Sequence, residues 1–273
     1  MTAFRAACVQ LRSSDDVAEN IRHTVQLVRD AAARGASFIA TPENTTLMAP
    51  DGGAKLAQSF DEAHDPALPV FSALAEELKV WLLIGSLAIK VSDTKTANRS
   101  FLFAPDGSIT ARYSKIHLFD VALASGEVYR ESGTVAGGDE AVVAGTEFGA
   151  VGLTICYDVR FPQLYRRLAQ KGAFLFTVPS AFTVPTGQAH WHVLLRARAI
   201  ENGAFVIAPA QGGLHANGRK TYGHSLIVSP WGEILAEAGT DPGVIVAEID
   251  PALSAQAREK VPNLQHDRAF SGP

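Results

Sequence analysis

The chain contains 273 residues, 47% of them hydrophobic, which is enough to bury a substantial core in one large domain or two small ones. The formal net charge of −4 does not favour a nucleic-acid or membrane-surface partner, and no apolar run approaches the roughly 20 residues that span a bilayer. Cys8 and Cys156 are the only cysteines, which excludes a disulfide framework and indicates a reducing, cytoplasmic location.

The first half of the chain alternates between strand and helix patterns. Its opening residues do not resemble a signal peptide, because Arg5 interrupts the apolar stretch and polar residues follow. Apolar side chains at Val17, Ile21, Val25 and Val28 have helical spacing. In chain order we predict a strand at residues 4–11, a helix at 15–35, a strand at 36–43, a helix at 71–79, a strand at 80–90 and a hairpin at 97–115.

A segment rich in glycine and serine, residues 118–139, separates the two halves, and we interpret it as a functional loop rather than a linker. The second half repeats the theme of the first. We predict strands at 140–145 and 149–156, a helix at 162–171, a strand at 173–180, a helix at 187–203, and strands at 204–211, 222–230, 232–238 and 243–250. Two comparable halves indicate one pseudo-symmetric domain over residues 1–273, with two sheets and outer helices. The polar tail at 263–273 is expected to cross the surface or a partner subunit.

Three polar residues each follow an apolar strand: Glu43, Lys115 and Cys156. If these strands are neighbours, the three side chains converge on one edge of the sheets. A carboxylate, an ammonium and a thiol are sufficient for acyl transfer. The carboxylate removes the thiol proton, the thiolate attacks, and the ammonium stabilises the oxyanion.

Each of these residue types also has an ordinary structural interpretation. A buried cysteine is usually a small apolar filler, which is how we interpret Cys8. A glutamate at a strand end is more often a cap or a surface residue, and a lysine is usually solvated. The functional interpretation is favoured because three such residues end three separate strands.

The sequence resembles the nitrilase superfamily of carbon–nitrogen hydrolases, and within it the Nit branch. The stretches that carry the resemblance run through nearly the whole chain: ATPENTT, RYSKIHLFDV, GLTICYDVRFPQLYRRLAQKGA, AHWHVLLRARAIENGAFVIAPAQ and YGHSLIVSPWGEILAEAG. The resemblance implies an α/β fold, a four-layer αββα sandwich of two mixed sheets with pseudo-two-fold halves. It also implies a homodimer or larger homo-oligomer that pairs through the helices near the nucleophile.

The same resemblance implies catalytic roles for named residues. Glu43 is the implied general base, Lys115 the transition-state stabiliser and Cys156 the nucleophile. The family has a second glutamate in the long loop, and Glu127 fits that position. We expect the backbone N–H of Tyr157 to help hold the oxyanion, with no cofactor and no metal.

The residues after the nucleophile favour amides over nitriles. True nitrilases usually have Cys-Trp-Glu here, whereas this chain has Cys156-Tyr157-Asp158. We therefore predict an amidase that hydrolyses the terminal amide of a small 2-oxo acid amide, similar to deaminated glutathione, to a carboxylate and ammonia through a thioester on the cysteine. The alternatives are an ω-amidase acting on 2-oxoglutaramate, a nitrilase or carbamoylase, or a catalytically silent binding scaffold with the same fold.

A substrate of this kind is anionic, so a cation near the nucleophile could bind its carboxylate. Each candidate could equally be an ion-pair residue or a solvated loop residue. The candidates are Arg160, Arg196, Arg198, Arg219 and Lys220.

Two other chemistries explain less of the sequence. A papain-like Cys–His enzyme needs a histidine beside its nucleophile, and the nearest candidate, His117, leaves Glu43 and Lys115 unexplained. A zinc site at His190 and His192 is disfavoured because residues two apart on a helix do not face each other.

Overall fold

A computed structural model of the chain describes residues 2–122, 126 and 128–272. The described residues form six α-helices and seventeen strands, and most of the strands belong to two large sheets. The helices are α1 (Val17–Ala33), α2 (Gly52–Ala57), α3 (Ala67–Leu78), α4 (Pro162–Gln170), α5 (Val184–Asn202) and α6 (Pro251–Lys260). The strands before the nucleophile are β1 (Phe4–Gln10), β2 (Phe38–Ala40), β3 (Trp81–Lys90), β4 (Thr96–Phe103), β5 (Ile109–Ser114), β6 (Asp120–Ala122), β7 (Val128–Arg130), β8 (Val135–Ala136), β9 (Val142–Thr146) and β10 (Gly149–Leu153). Those after it are β11 (Leu175–Thr177), β12 (Phe205–Ala208), β13 (Gly212–Leu214), β14 (Lys220–Tyr222), β15 (Leu226–Val228), β16 (Ile234–Glu237) and β17 (Gly243–Ile249).

The first sheet has the order β17-β1-β2-β3-β4-β5, with β8 beside β4. Strands β1, β2 and β3 are parallel to one another. Strand β17 runs antiparallel to β1, β4 runs antiparallel to β3, and β5 runs antiparallel to β4. Two reversals from β3 through β4 make β5 run in the same direction as β2. The carboxyl ends of β2 and β5 therefore reach the same edge of the sheet, which is the edge that carries Glu43 and Lys115.

The second sheet repeats this plan in the order β9-β10-β11-β12-β15-β16. Three parallel strands, β10 to β12, are flanked by antiparallel β9 on one side and by the antiparallel pair β15 and β16 on the other. The repeated plan confirms the prediction of two mixed sheets in pseudo-two-fold halves.

Side chains alternate between two hydrophobic layers, as the period of a strand requires. Along β1, Ala6 and Cys8 lie in the core between the sheets, whereas Ala7 and Val9 pack with side chains of α1 and α3. Helices α4 and α5 pack on the second sheet. The order of layers is helices, sheet, sheet, helices, which confirms the predicted αββα sandwich.

Direct contacts join the two sheets through this shared core. The ring of Phe4 stacks on that of Phe148 with centroids 3.9 Å apart, and the thiol of Cys8 donates to the carbonyl of Leu226 at 3.7 Å. Cys8 is fully buried, in agreement with its interpretation as a core residue. Among the α-helices that the structure describes, none is long and apolar enough to cross a membrane.

Several short elements lie where the sequence predicts none. Helices α2 and α6 and the hairpin of β13 and β14 are additional, and the segment at 118–139 contains β6, β7, β8 and a turn of 3-10 helix instead of irregular backbone alone. The tail also has a defined place. Arg166 of α4 donates to the carbonyl of Asn263 at 2.6 Å and pairs with Asp267, so these tail residues lie against the chain's own helix.

Gly85 of β3 lies in a tight space between the backbone that follows β2 and the segment that follows β11. A Cβ atom at this position would lie 2.0 Å from the carbonyl oxygen of Thr41 and 2.5 Å from the Cβ of Pro179. Thr41 begins the backbone that leads to Glu43, so this close approach helps to position the site.

We predict that Gly85→Ala lowers the free energy of unfolding by about 3 kcal/mol, because backbone atoms must move to admit the methyl group. The matched control is Gly145→Ala in exposed β9, where the structure places no described atom within 4 Å of the new methyl group. The control should change the free energy of unfolding by no more than about 0.5 kcal/mol. Urea denaturation followed by circular dichroism measures both, and equal stability of the two variants would contradict the prediction.

Candidate active site

The three residues that follow the apolar strands meet in the structure. Glu43, Lys115 and Cys156 are all buried, with exposed fractions of 4%, 1% and 7%. The first two follow β2 and β5 of the first sheet, and the third follows β10 of the second. The three side chains therefore converge although their strands are not neighbours in one sheet. They meet because the edges of the two sheets face each other across the core.

The ammonium of Lys115 is the centre of this group. Its Nζ donates to Oε1 of Glu43 at 2.8 Å, and to Oε2 and Oε1 of Glu131 at 2.9 and 3.2 Å. Asn98 Nδ2 donates to Oε1 of both carboxylates, at 2.9 Å to Glu43 and 3.2 Å to Glu131. In this cluster two carboxylates therefore share the ammonium of Lys115.

The electrostatics of the cluster keep its ions charged. Burial alone would lower the pKa of Lys115, but the carboxylates of Glu131 and Glu43 raise it well above its ordinary value. Burial alone would raise the pKa of Glu131, but the Lys115 ammonium and the backbone N–H of Phe119 lower it to about 2. The N–H of Phe119 donates to Glu131 Oε2 at 2.7 Å.

Glu131 is a site residue that the sequence analysis missed. The predicted second glutamate, Glu127, lies outside the described residues, and Glu131 stands four positions further along the same loop. Nothing in the local sequence distinguishes the two, because both are polar residues of a loop with no apolar periodicity. Only the folded loop, which turns at Glu131 into a short 3-10 helix, brings that carboxylate to Lys115.

The nucleophile candidate is held in an unusual backbone conformation. Cys156 has φ 49°, in the left-handed region that side chains other than glycine rarely adopt, at a cost of about 1 kcal/mol or more. Its N–H donates to the carbonyl of Pro179 at 2.9 Å, which fixes the turn against the strand β11. A strand that ends in such a turn directs its side chain into the space at the sheet edge.

The thiol of Cys156 is held in its neutral form. Burial raises its pKa most, and the negative charge of the Glu43 carboxylate raises it further. The Lys115 ammonium and the backbone N–H of Ala181 act in the opposite direction without overcoming these effects. A neutral thiol that shares a cavity with a carboxylate can lose its proton to that carboxylate.

Asp158 ties the thiol-bearing turn to the lysine-bearing strand. Its carboxylate is fully buried, with Oδ2 accepting from the hydroxyl of Tyr113 at 2.7 Å and from the N–H of Ile155 at 2.8 Å. Its Oδ1 accepts from the N–H and from Nδ1 of His117, at 3.1 and 2.7 Å. Tyr113 and His117 flank the catalytic lysine candidate, and Ile155 precedes the cysteine, so one carboxylate fixes the distance between them.

Above the buried cluster lies a cavity of about 740 Å³ that reaches the surface. Tyr157 lines it, and in the described part of the chain no protein acceptor pairs with its backbone N–H. Among the described residues no histidine lines the cavity, and His117 is bonded to Asp158. The arrangement therefore does not support a papain-like Cys–His pair.

The cavity separates the predicted carboxylate partners into two groups. Arg160, Arg219 and Lys220 line it. Arg196 and Arg198 do not: their Nε atoms donate to the carbonyls of Gly232 and Val159, at 2.7 and 2.8 Å. Arg196 and Arg198 therefore have a structural role, which is to bond backbone carbonyls, and do not bind the substrate carboxylate.

A further cation of the cavity, Lys55, was not identified from the sequence because α2 was not predicted. Its Nζ donates to Oδ1 of Asn44 at 2.9 Å. Burial lowers the pKa of Lys55, and the carboxylates of Glu131 and Glu43 oppose this shift. The structure therefore places a second amine near the carboxylate cluster.

Comparisons with known proteins agree with this geometry. The sequence profile described as carbon–nitrogen hydrolase matches residues 5–259. A Synechocystis protein named deaminated glutathione amidase is 43% identical over 271 residues, which are 97% of this chain and 98% of that protein. The human protein named omega-amidase NIT2 is 34% identical over 269 residues, 98% of this chain and 96% of that one.

Among solved structures, that of the C. elegans NitFhit protein matches with a TM-score of 0.91 at 34% identity. The match covers 97% of this chain and 65% of the NitFhit chain. This chain therefore spans about two thirds of the length of that protein, and its fold is that of the matching part.

We predict that Asp158→Asn lowers the free energy of unfolding by about 2–4 kcal/mol. Asparagine keeps one acceptor oxygen and turns its N–H₂ group toward two of the four buried donors, which lose their partner. Tyr113→Phe, which removes one of the four donors, is the graded control. It should lower the free energy of unfolding by only about 1 kcal/mol. Urea denaturation of both variants measures this, and a loss with Asp158→Asn no larger than with Tyr113→Phe would contradict the tying role.

Proposed function

The chain belongs to the carbon–nitrogen hydrolase family, and from this premise we propose that it cleaves the amide bond of a small 2-oxo acid amide through a thioester on Cys156. It is a hydrolase that acts on amides. The observation that carries the proposal is the meeting of a neutral thiol at Cys156 with the hydrogen-bonded pair of Glu43 and Lys115 at the base of one open cavity.

In the proposed first step, Glu43 takes the proton of Cys156 as the thiolate attacks the amide carbon. Negative charge develops on the substrate oxygen, where the Lys115 ammonium and the N–H of Tyr157 can hold it. Loss of one such donor typically raises the barrier by about 3 kcal/mol. Glu43 then gives the proton to the departing amine, which leaves a thioester on the cysteine.

In the second step water enters the space that the amine has left. Glu43 removes a proton from this water, which attacks the thioester and releases the carboxylate product and the free thiol. Glu131 also accepts hydrogen bonds from Lys115, so the ammonium keeps a carboxylate partner while the charge on Glu43 alternates. The role predicted for Glu127 in positioning water or substrate stays a prediction, because that residue lies outside the described residues.

The substrate in the name of the Synechocystis relative and the substrate of the ω-amidase alternative share one acyl half. Deaminated glutathione and 2-oxoglutaramate both present a 2-oxo acid linked through its far carbonyl to nitrogen, and they differ in the amine that leaves. The first releases the dipeptide amine of cysteinylglycine and the second releases ammonia. We propose deaminated glutathione as the substrate, because a cavity of about 740 Å³ has room for the dipeptide and the relative with this name is 43% identical. The expected ammonia product therefore applies to the ω-amidase alternative.

For the carboxylate of the shared acyl half we propose Arg160 as the partner. Its guanidinium lies 5.8 Å from the ring centre of Tyr157 and 5.5 Å from that of Phe182, which restricts its movement. Its two terminal nitrogens, Nη1 and Nη2, each lie 3.3 Å from Nδ1 of His190. A planar guanidinium held over aromatic rings at the cavity wall suits bidentate binding of a carboxylate.

We propose that residues 1–273 act as one domain in the reducing cytoplasm, where both cysteines stay free. We also propose a homodimer or larger homo-oligomer. Val193 and Ile200 of α5 are 68% and 52% exposed, which supports pairing through the helices near the nucleophile.

We predict that wild-type protein hydrolyses deaminated glutathione with a higher kcat/KM than 2-oxoglutaramate or a simple nitrile. Cys156→Ala should lower turnover at least about 10⁴-fold while circular dichroism shows an intact fold. Mass spectrometry after rapid quench of the wild-type protein during turnover should find an acyl adduct on Cys156. An adduct on Cys8, or substantial turnover by Cys156→Ala, would overturn the assignment.

We also predict that Arg160→Met lowers kcat/KM for both 2-oxo acid amides by about 10–100-fold, the usual value of a hydrogen-bonded ion pair. An uncharged amide of the same chain length should lose less than about threefold. Arg196→Met, which removes a helix arginine outside the cavity, should change kcat/KM by the same factor for all three substrates. Equal losses for charged and uncharged substrates in Arg160→Met would contradict the proposed contact.

A further inference from the structure

Three side chains that commonly bind metal ions meet outside the active site. They are His192 of α5, His224 just before β15, and Glu237 at the end of β16. One donor atom from each lies within 4.8 Å of the others. Oε1 of Glu237 is 2.9 Å from Nε2 of His192 and 2.9 Å from Nδ1 of His224.

The backbone that carries these donors is fixed by several hydrogen bonds. Trp191 Nε1, on the residue before the α5 histidine, donates to the carbonyl of His224 at 2.8 Å. The N–H of His224 donates to the carbonyl of Gly239 at 2.8 Å, and Glu237 is paired with Leu226 across the sheet. Helix, loop and strand are thereby joined at the point where the three donors converge.

The ring of Tyr222 restricts both imidazoles. It stacks on His224 with centroids 4.4 Å apart and meets His192 edge to face at 6.1 Å. Two oriented imidazoles and one carboxylate are a common donor set for a transition metal.

We propose that His192, His224 and Glu237 form a binding site for a divalent transition-metal ion of the zinc type. Zinc takes imidazole nitrogen at about 2.0–2.1 Å and carboxylate oxygen at about 2.0–2.2 Å, so the present separations of 2.9 Å need to widen by only a few tenths of an ångström. The ion takes the place of the protons that the imidazoles now donate to Glu237. The three side chains are 28–35% exposed, which leaves water access to a fourth position.

The donor set also indicates which ions the site rejects. Mg²⁺ and Ca²⁺ prefer sites made wholly of oxygen, whereas two of the three donors here are imidazole nitrogens. His190, two residues earlier on α5, lies 3.3 Å from Arg160 and takes no part. This agrees with the expectation that His190 and His192 do not face the same way, and the partners of His192 come instead from the second sheet.

The site is distinct from the reaction centre but joined to its wall. The N–H of Tyr222 donates to the carbonyl of Phe182 at 2.9 Å, and Phe182 lines the active-site cavity. A bound ion would clamp α5 to β16 and hold Tyr222 between them. The proposal concerns metal binding alone and does not depend on the proposed substrate.

The experiment uses full-length protein carrying Cys156→Ala, so that the active-site thiol cannot bind the ion. Isothermal titration with Zn²⁺ is expected to show one site per chain, and His192→Ala or Glu237→Gln added to this protein should weaken binding at least about tenfold. His64→Ala is the matched control, because His64 pairs with Asp61 at 2.8 Å and the described residues supply no third donor there. The control should bind Zn²⁺ as tightly as its parent.

A second measurement separates this site from adventitious binding. Bound Co²⁺ should give the visible absorption bands of a site with nitrogen and oxygen ligands, and these bands should disappear in His192→Ala. Excess Mg²⁺ should not displace the Co²⁺. Zn²⁺ should raise the Tm of the parent and of His64→Ala, but not of His192→Ala. Binding that is unchanged in both His192→Ala and Glu237→Gln, or the absence of Zn²⁺ binding to the parent, would overturn the proposal.

Discussion

The buried ammonium of Lys115, held between two carboxylates, is the interaction on which the rest of the site depends. An unpaired ammonium in this position would cost several kcal/mol, and removing either carboxylate would leave much of that cost uncompensated. Glu43 and Glu131 both accept from the ammonium, and Asn98 donates to both. The ends of β2 and β5 and the loop after them must therefore fold together, because each contributes a charge that the others neutralise.

The surroundings of the thiol set the resting state of the nucleophile. Burial, and then the Glu43 carboxylate, raise the pKa of the Cys156 thiol, so it stays protonated. Chemistry at such a thiol requires a base in contact with it, since the thiolate is not formed in advance. Glu43, whose charge raises the pKa of the thiol, lines the same cavity and is the base available to it. As charge moves from sulfur to the substrate oxygen, Lys115 can turn part of its interaction toward that oxygen without leaving Glu131.

The sequence predicted the elements whose signals are local. Period-two apolar strands, helices ended by glycine and the two-fold repeat of the plan all follow from short-range patterns, and so does the cysteine after β10. Glu131, Lys55 and helix α2 were missed, because the burial of a polar loop residue is decided by distant contacts that leave no periodic trace. Asp158 was used only as a sign of amide preference, although its bonds to Tyr113 and His117 position the site.

The repeated plan of the sheets explains why the chain has one such site and not two. The registers pair Cys8 with Ala40 in one half and Leu153 with Thr177 in the other, so Glu43 and Ser180 occupy equivalent positions, three residues after β2 and β11. By the same registers, Cys156 is equivalent to Leu11, three residues after Cys8. The carboxylate comes from one half and the thiol from the other, and their counterparts, a serine and a leucine, cannot do the same chemistry. Neither half holds both groups, so the reaction centre exists only when the two sheets are packed face to face, and the tight contact at Gly85 and the bonds of Asp158 act on that packing.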